Sequence, residues 1–200
     1  MRNSKEPQRS NGKLRVAAIL KAATTVIAEK GYEAATMAEI AARSDTQIGS
    51  LYRFFPNKES LANAMIVRYR ENINAEFDKI DGAIASLSTQ TLTDALFAIM
   101  PALRKDGAAI LRLVDTQKGW PINREEFREA VLKRIAQTLR LYNPRLTANL
   151  ARGMALIVIH NIKTMNTFSN MADKKVRLVA IEELRDMTHA YLISRLNKPH

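Results

Sequence analysis

Few side chains in this sequence could carry covalent chemistry. Cysteine is absent, and the three histidines are His160, His189 and His200. The lack of cysteine excludes disulfides, thiolate catalysis and thiolate metal sites. The sequence contains no His-x-x-x-His pair, no Gly-rich phosphate loop and no Gly-x-Ser-x-Gly elbow. We therefore expect no enzyme, no metal site and no cofactor, and the side chains of interest are those that bind rather than react.

Residues 36–61 have the pattern of two short helices separated by a tight turn. Thr36 followed by Glu39 is a capping box, in which each side chain bonds an unpaired amide at the helix start. The polar cluster at 44–46 ends that helix, and apolar residues at helical spacing then continue up to Pro56. A further helix start follows directly. The pattern predicts a helix-turn-helix, whose second helix can enter a DNA major groove.

The start of this second helix offers side chains that can read bases. Gln47 can pair bidentately with adenine, Ser50 can bond several bases, and Ile48 can pack on a thymine methyl group. Gly49 lowers helix stability by about 1 kcal/mol relative to alanine. Two explanations stay open for this glycine, which are close approach to DNA and tight packing against the first helix of the pair.

The same block resembles the DNA-binding signature of the TetR family of bacterial transcriptional regulators. That signature opens with Thr-x-x-x-Ile-Ala and ends with Gly-x-Leu-Tyr-x-x-Phe-x-x-Lys-Glu-x-Leu. The matching residues are Thr36, Ile40, Ala41, Gly49, Leu51, Tyr52, Phe55, Lys58, Glu59 and Leu61, and those in the preceding helix are Ile19, Ala23, Ile27, Gly31 and Tyr32. Beyond this first part of the chain, the resemblance rests on length and helical character alone.

The resemblance implies that three side chains of the block contact DNA phosphates, namely Thr36, Tyr52 and Lys58. Two of them, Thr36 and Lys58, stand at helix N-termini, where the helix dipole favours an anion. Arg43 and Arg53 are our next candidates. Plainer interpretations stay open for single residues, since Tyr52 can belong to the core and Arg53 can be a surface charge.

The turn departs from the family pattern. The usual Ala-Gly-Val-Ser is replaced by Ser44-Asp45-Thr46-Gln47. Aspartate tolerates a positive φ better than bulky residues do, so Asp45 is expected to replace the glycine at modest cost. We expect Thr46 to lose some packing against the first helix, and Gln47 to be a poorer N-cap than serine. The motif survives, and the operator preference is expected to differ.

Composition agrees with a DNA-binding protein without proving one. The chain has 200 residues, 46% of them hydrophobic, and a formal net charge of +11. Such a charge attracts phosphates, but it separates nucleic acid poorly from membrane surfaces. No apolar run approaches the roughly 20 residues that span a bilayer, and the polar N-terminus lacks the apolar segment of a signal peptide. We therefore expect a cytoplasmic protein without membrane contact.

Helical periodicity continues outside the motif, and no strand alternation appears. We predict a disordered basic tail at 1–12, a first helix at 13–30 capped by Gly31, and a long helix from Asn57 past Ile80. The later helices are predicted at Thr91 to Arg104, Gly107 to Lys118, Pro121 to Tyr142, Pro144 to Ser169 and Asp173 to Asn197. The sequence thus predicts an all-α protein of about nine helices, with a three-helix DNA-binding domain at 13–60 and a C-terminal helical bundle at 61–200. The resemblance implies that this bundle serves ligand binding and dimerisation.

The last two helices are apolar on broad faces. A helix that is apolar nearly all round must be covered on several sides. The resemblance places a four-helix interface of a two-fold dimer here, with two helices from each subunit. The alternative is that both helices fill the core of one subunit. The predicted interface residues are Leu150, Met154, Ile157, Val158, Val176, Val179, Leu184, Met187 and Tyr191.

The resemblance also implies that the C-terminal bundle encloses a pocket for a small, mostly apolar effector. Apolar and aromatic side chains at helical spacing are equally explained as plain core. His160 stands out as a polar residue in the most apolar helix, and its default interpretation is a core histidine bonded to the backbone. The candidate lining residues are Phe97, Met100, Leu103, Leu111, Trp120, Phe127, His160 and Thr164.

Together these features predict a transcriptional repressor that binds a palindromic DNA operator as a homodimer and is released by an unknown small-molecule effector. An enzyme is disfavoured by the missing catalytic motifs. A helical interaction or scaffold protein that keeps the fold and has lost specific DNA binding is the other alternative, for which only the altered turn and Gln47 argue.

Overall fold

The computed structural model describes residues 6–116, 124–169 and 171–197. Within these ranges every regular element is helical, as the sequence predicts, and eight α-helices stand in place of about nine. A single 3-10 turn, Ile84–Ser86, follows the fourth helix. The helices are α1 Glu6–Lys30, α2 Met37–Arg43, α3 Ile48–Phe54, α4 Lys58–Ala83, α5 Thr89–Thr116, α6 Arg124–Tyr142, α7 Ala148–Phe168 and α8 Lys174–Leu196.

The first helix is longer than predicted. Because α1 begins at Glu6, residues 6–12 are helical, and the expectation of a disordered tail is wrong for them. Pro7 lies in the first turn, where a missing N–H removes no helical hydrogen bond. Gly31 ends the helix as predicted, with φ 82° and its N–H bonded to the Ile27 carbonyl at 2.9 Å.

A second correction concerns α5, which is one continuous helix where two were predicted. The predicted helix start at Gly107 is wrong, because this residue lies inside α5. Its place in the fold gives a reason for the glycine, since a Cβ atom here would lie 2.7 Å from the Tyr69 hydroxyl. Gly107 therefore makes room for Tyr69 and does not interrupt the helix.

The C-terminal helices begin where a side chain caps them. α7 starts at Ala148 and not at Pro144, because the Thr147 hydroxyl accepts a hydrogen bond from the Leu150 N–H at 3.3 Å. α8 starts as predicted after Asp173, whose carboxylate accepts from two backbone amides. The expected start of α6 at Pro121 lies outside the described residues, and so do residues 1–5 of the predicted N-terminal tail.

The chain forms two compact units, and the boundary does not fall at residue 60. One unit comprises residues 1–71 with 104–124, and the other comprises 72–103 with 125–200. The long helices α4 and α5 each contribute residues to both units, which a division in chain order cannot capture. None of the described helices is long and apolar enough to cross a bilayer.

Each unit has its own buried core. In the N-terminal unit, apolar side chains of the first four helices are buried, among them Ile19, Val26, Ile27, Ile40, Leu51, Leu61 and Ile66. The C-terminal unit buries Phe77, Leu92, Leu96, Ile135, Leu139, Met154, Val158 and Leu192. The N-terminal core fixes the short helices α2 and α3, which would be marginal in isolation.

Candidate nucleic-acid interface

The helix-turn-helix begins with a cap at Thr36. Its hydroxyl accepts a hydrogen bond from the Glu39 N–H at 3.2 Å, as the sequence predicts. The Glu39 carboxylate does not complete a reciprocal box but pairs with Lys30 at 2.8 Å and Arg43 at 3.2 Å. The hydrogen bond from Lys30, with the charges of both cations, lowers the pKa of Glu39 below its usual range.

The residues of the altered turn suit the backbone conformation that the turn adopts. Asp45 has φ 49°, the left-handed conformation that the sequence predicts for it. Thr46 is buried, and its hydroxyl donates to the Ser44 carbonyl at 3.2 Å, while its N–H bonds the Ala41 carbonyl at 2.9 Å. The expected loss of packing at Thr46 is not seen, because the small side chain is enclosed and its polar group is satisfied.

The recognition helix α3 is anchored on one side and open on the other. Leu51 is fully buried and holds the helix on the core. Ile48 and Tyr52 are 43% and 47% exposed, so the alternative that Tyr52 belongs to the core is wrong. Gln47 is the N-cap residue and makes no side-chain cap bond, which leaves its amide group available. Ser50 is half-buried beside these residues.

Gly49 lies on the open side of α3. A Cβ atom built at this position would meet nothing within 4 Å. Tight packing against the first helix of the pair therefore does not explain the glycine. Of the two explanations that the sequence left open, only close approach to something outside the chain is compatible with this geometry.

The Lys58 side chain has a role that the sequence did not reveal. Its ammonium group donates to the carbonyl oxygens of Tyr32, Glu33 and Ala35 at 2.9, 3.1 and 3.2 Å. It also lies 4.5 Å from the centre of the Tyr32 ring. A lysine ammonium has three donors, so these bonds use all of them. The side chain therefore holds the loop between α1 and α2 in place, and a contact with phosphate would compete with these bonds.

The two candidate arginines differ in their partners. Arg43 bonds Glu29 at 2.6 Å and Glu39 at 3.2 Å, so it joins α1 to α2. Arg53 is exposed, lies 5.6 Å from the Phe54 ring centre, and has no carboxylate partner among the described side chains. Of the two, Arg53 is the cation free to meet a phosphate.

The predicted dimer residues divide into two groups. Met154, Val158 and Leu184 are buried within the subunit, so they are core residues and their assignment to an interface is wrong. Leu150 and Tyr191 are half-buried. The exposed ones are Ile157, Val176, Val179 and Met187. Leu156, Leu178 and Ile193 are exposed as well and were not among the predicted interface residues.

Four of the eight residues predicted to line an effector pocket have described side chains. Phe97 is buried, and Phe127 and Thr164 are half-buried. His160 is exposed on α7 with Nδ1 2.8 Å from the Leu156 carbonyl, so the expected backbone partner is present but the expected burial is not. The side chains of Met100, Leu103, Leu111 and Trp120 lie outside the described residues.

Comparison with known proteins shows which class of protein this helix-turn-helix region resembles. Residues 19–65 match the family described as bacterial regulatory proteins, tetR family. The chain is similar to the HTH-type transcriptional repressor KstR of Mycolicibacterium smegmatis, with 39% identity over 61 residues, 30% of each chain. The KstR repressor of Mycobacterium tuberculosis is 38% identical over 61 residues, 30% of this chain and 28% of that one. The chain thus matches less than a third of the length of these relatives.

The fold likeness extends over most of the chain. A transcriptional regulator of the TerR/AcrR family from Aquifex aeolicus has a TM-score of 0.70 at 18% identity, covering 88% of this chain and 99% of that one. The SmeT–triclosan complex has a TM-score of 0.59 at 18% identity, covering 89% and 91%. The class is therefore that of all-α helix-turn-helix proteins. Residues 19–65 are similar to the DNA-binding region of the tetR family, and the chain has the fold of these solved regulators.

Proposed function

We propose that this protein is a transcriptional repressor that binds a palindromic operator as a homodimer and is released by a small, mostly apolar effector. The observation that carries the proposal is the open face of α3. Leu51 anchors the helix, whereas Gln47, Ile48, Gly49 and Tyr52 present side chains or bare backbone to the outside. A domain that had lost DNA binding would have no need of a glycine that faces open space.

In this proposal α3 lies in the major groove. Gln47 and Ser50 bond base edges, Ile48 packs on a thymine methyl group, and Gly49 lets the helix backbone approach the bases. Tyr52 and Arg53 bond phosphates, and the N-terminal end of α2 at Thr36 adds a helix dipole. Arg43 and Lys58 act through the positions of the elements that they join, since their polar atoms already have partners within the domain.

The partner in dimerisation is a second copy of the chain. Seven large apolar side chains on the described parts of α7 and α8 are 40–59% exposed, namely Leu156, Ile157, Val176, Leu178, Val179, Met187 and Ile193. Exposed apolar groups in this number mark an interaction surface. A two-fold pair of α3 helices would then read half-sites roughly 34–36 Å apart. The effector would favour a spacing that does not fit, and a coupling of about 1–3 kcal/mol changes operator affinity roughly 5–150-fold. The triclosan complex of SmeT supports this part of the proposal, because its fold holds a small molecule.

The first test is selection of bound sequences from a random DNA pool at two salt concentrations. The expected result is a palindrome that is still recovered at the higher salt. Unrelated sequences with a steep loss on adding salt would contradict the proposal, because the net charge of +11 would then account for the binding. That outcome would favour a scaffold protein with this fold.

The second test uses variants of the α3 face on the selected site. Gln47→Ala is expected to relax the preference at one base pair by about 1–3 kcal/mol. Tyr52→Ala is expected to weaken binding to all sequences alike. Gly49→Ala should raise helix stability by up to about 1 kcal/mol and still reduce operator affinity. Gln137→Ala, an exposed glutamine on α6, is the matched control, and equal gel-shift titrations for all four variants would reject the assigned face.

A further inference from the structure

A groove lies within the N-terminal unit, apart from the face of α3. It has a volume of about 350 Å³ and is lined by residues of α1, α4 and α5. Its apolar wall includes Leu20, Met65 and Ile110, all of which are buried. The volume is within the range of roughly 300–1,000 Å³ that small-molecule sites occupy.

The charged side chains among the described lining residues of the groove have one sign. Lys21 and Arg68 line it, both are exposed, and no carboxylate is among the lining residues that the structure describes. Neither cation has a carboxylate partner among the described side chains. Arg68 donates one bond to the Ala17 carbonyl at 3.4 Å, which leaves most of its guanidinium donors available. Elsewhere in the same unit, Lys30 and Arg43 are paired with glutamates.

An apolar wall beside two unpaired cations fits a particular chemistry. A carboxylate can accept two parallel hydrogen bonds from a guanidinium, and a saturated chain can cover buried apolar side chains. A neutral alcohol would leave the cations without a counter-charge, and a cationic amphiphile would meet like charge. A bare phosphate would leave the apolar wall uncovered.

We propose that this groove binds an unbranched carboxylic acid of medium chain length, with its carboxylate on Arg68 and Lys21 and its chain along Leu20, Met65 and Ile110. This site is distinct from the effector pocket expected in the C-terminal bundle. Binding itself does not depend on the proposed repressor function. The regulatory consequence of binding does rest on the proposed function. Because α1 packs on α2 and α4 follows α3 directly, a ligand that bridges α1 and α4 would bias the position of the recognition helix.

The binding test is isothermal titration of the full chain, without DNA, with decanoate, 1-decanol and decyltrimethylammonium. Decanoate is expected to bind at least about tenfold more tightly than either control, the order of one charge-assisted hydrogen bond. Arg68→Gln and Lys21→Gln should each weaken decanoate binding by about the same factor. Arg70→Gln, an exposed arginine on α4 that does not line the groove, should leave it unchanged. Thermal unfolding of each variant establishes that it folds.

Three outcomes would overturn the proposal. Equal affinity for decanoate and decanol would remove the role of the cations. Unchanged decanoate binding in both glutamine variants would place the ligand elsewhere. If these variants instead lower affinity for random DNA and reduce its salt dependence, with decanoate binding intact, then Lys21 and Arg68 are phosphate contacts. If decanoate changes operator affinity and Arg68→Gln abolishes that change, the groove also regulates DNA binding. If decanoate binds without changing operator affinity, the binding site is supported and only the regulatory consequence is rejected.

Discussion

The recognition helix α3 and the outer faces of α7 and α8 are both open to solvent, but they became recognisable in opposite ways. On α3 the residue types themselves carry the information, because a glycine, a glutamine and a tyrosine at fixed spacing are unusual on a plain helix. On α7 and α8 the interface and core candidates are the same apolar types. Val158 is buried and Val179 is 59% exposed, although both belong to one predicted interface. A functional surface made of polar or special residues can thus be found in the sequence, whereas an apolar one requires the fold.

The same contrast applies to the charged side chains that hold each unit together. In the C-terminal unit, Arg134 bonds Asp81 at 2.5 Å and also pairs with Asp78, with its guanidinium 5.5 Å from the Phe77 ring centre. In the N-terminal unit, Lys58 bonds backbone carbonyls. The Arg134–Asp81 pair joins two opposite charges that are 18% and 16% exposed, whereas the Lys58 ammonium group bonds neutral carbonyl oxygens. Three measurements test this difference between the units.

The largest effect is expected at Asp81. Its carboxylate also accepts a hydrogen bond from the buried Thr138 hydroxyl at 2.7 Å. Asp81→Ala would leave Arg134 and Thr138 without this partner, and we expect a loss of about 2–4 kcal/mol in the free energy of unfolding by urea. Asp78→Ala is the matched control, since Asp78 contacts the same arginine but is 71% exposed, and it should cost less than about 1 kcal/mol. Equal losses in the two variants would mean that burial does not set the strength of this pair.

The next effect is expected at Lys58. Replacing Lys58 with Met removes three hydrogen bonds to carbonyls, and we expect a loss of about 1–3 kcal/mol in unfolding free energy. Lys79→Met, an exposed lysine on the same helix, should change stability little.

DNA binding distinguishes the two roles of Lys58. If the side chain holds the α1–α2 loop, the variant weakens operator binding while the slope of log affinity against log salt stays the same. If it contacts a phosphate, stability is retained and the slope falls by about 0.9. The second result would restore the contact that family resemblance implies and reject the role assigned from geometry.

The smallest effect concerns Glu39, which is half-buried. Because Lys30 and Arg43 lower the pKa of Glu39 in the folded state, its ion pairs stabilise the fold at pH above the unfolded value of about 4.3. This contribution is lost as the pH falls through the lower folded pKa. The urea midpoint of the wild type should therefore exceed that of Glu39→Gln by a constant amount between about pH 5 and 7 and converge with it in more acidic solution. A difference that persists at low pH would show that the amide disturbs packing.

Most of the N-terminal site could be predicted from the sequence, because its signals are local. The cap at Thr36, the positive φ at Asp45 and the end of α1 at Gly31 each depend on residues within four positions of one another. The errors arose where a local signal had a distant cause. Gly107 was interpreted as a helix break, but it accommodates Tyr69, which is 38 positions earlier in the chain. No local pattern reports such a contact.

The helical class, the helix-turn-helix and the candidate DNA-facing residues of α3 could be predicted from the sequence, since helix periodicity, caps and turn residues are encoded over a few neighbouring positions. The tertiary structure decided which apolar faces of α7 and α8 stay exposed, which cations are paired, and that Lys58 bonds carbonyls 23 to 26 residues away. It also brought Lys21 and Arg68 to one groove. These outcomes depend on how helices distant in sequence pack, and side-chain burial and pairing exist only after that packing has formed.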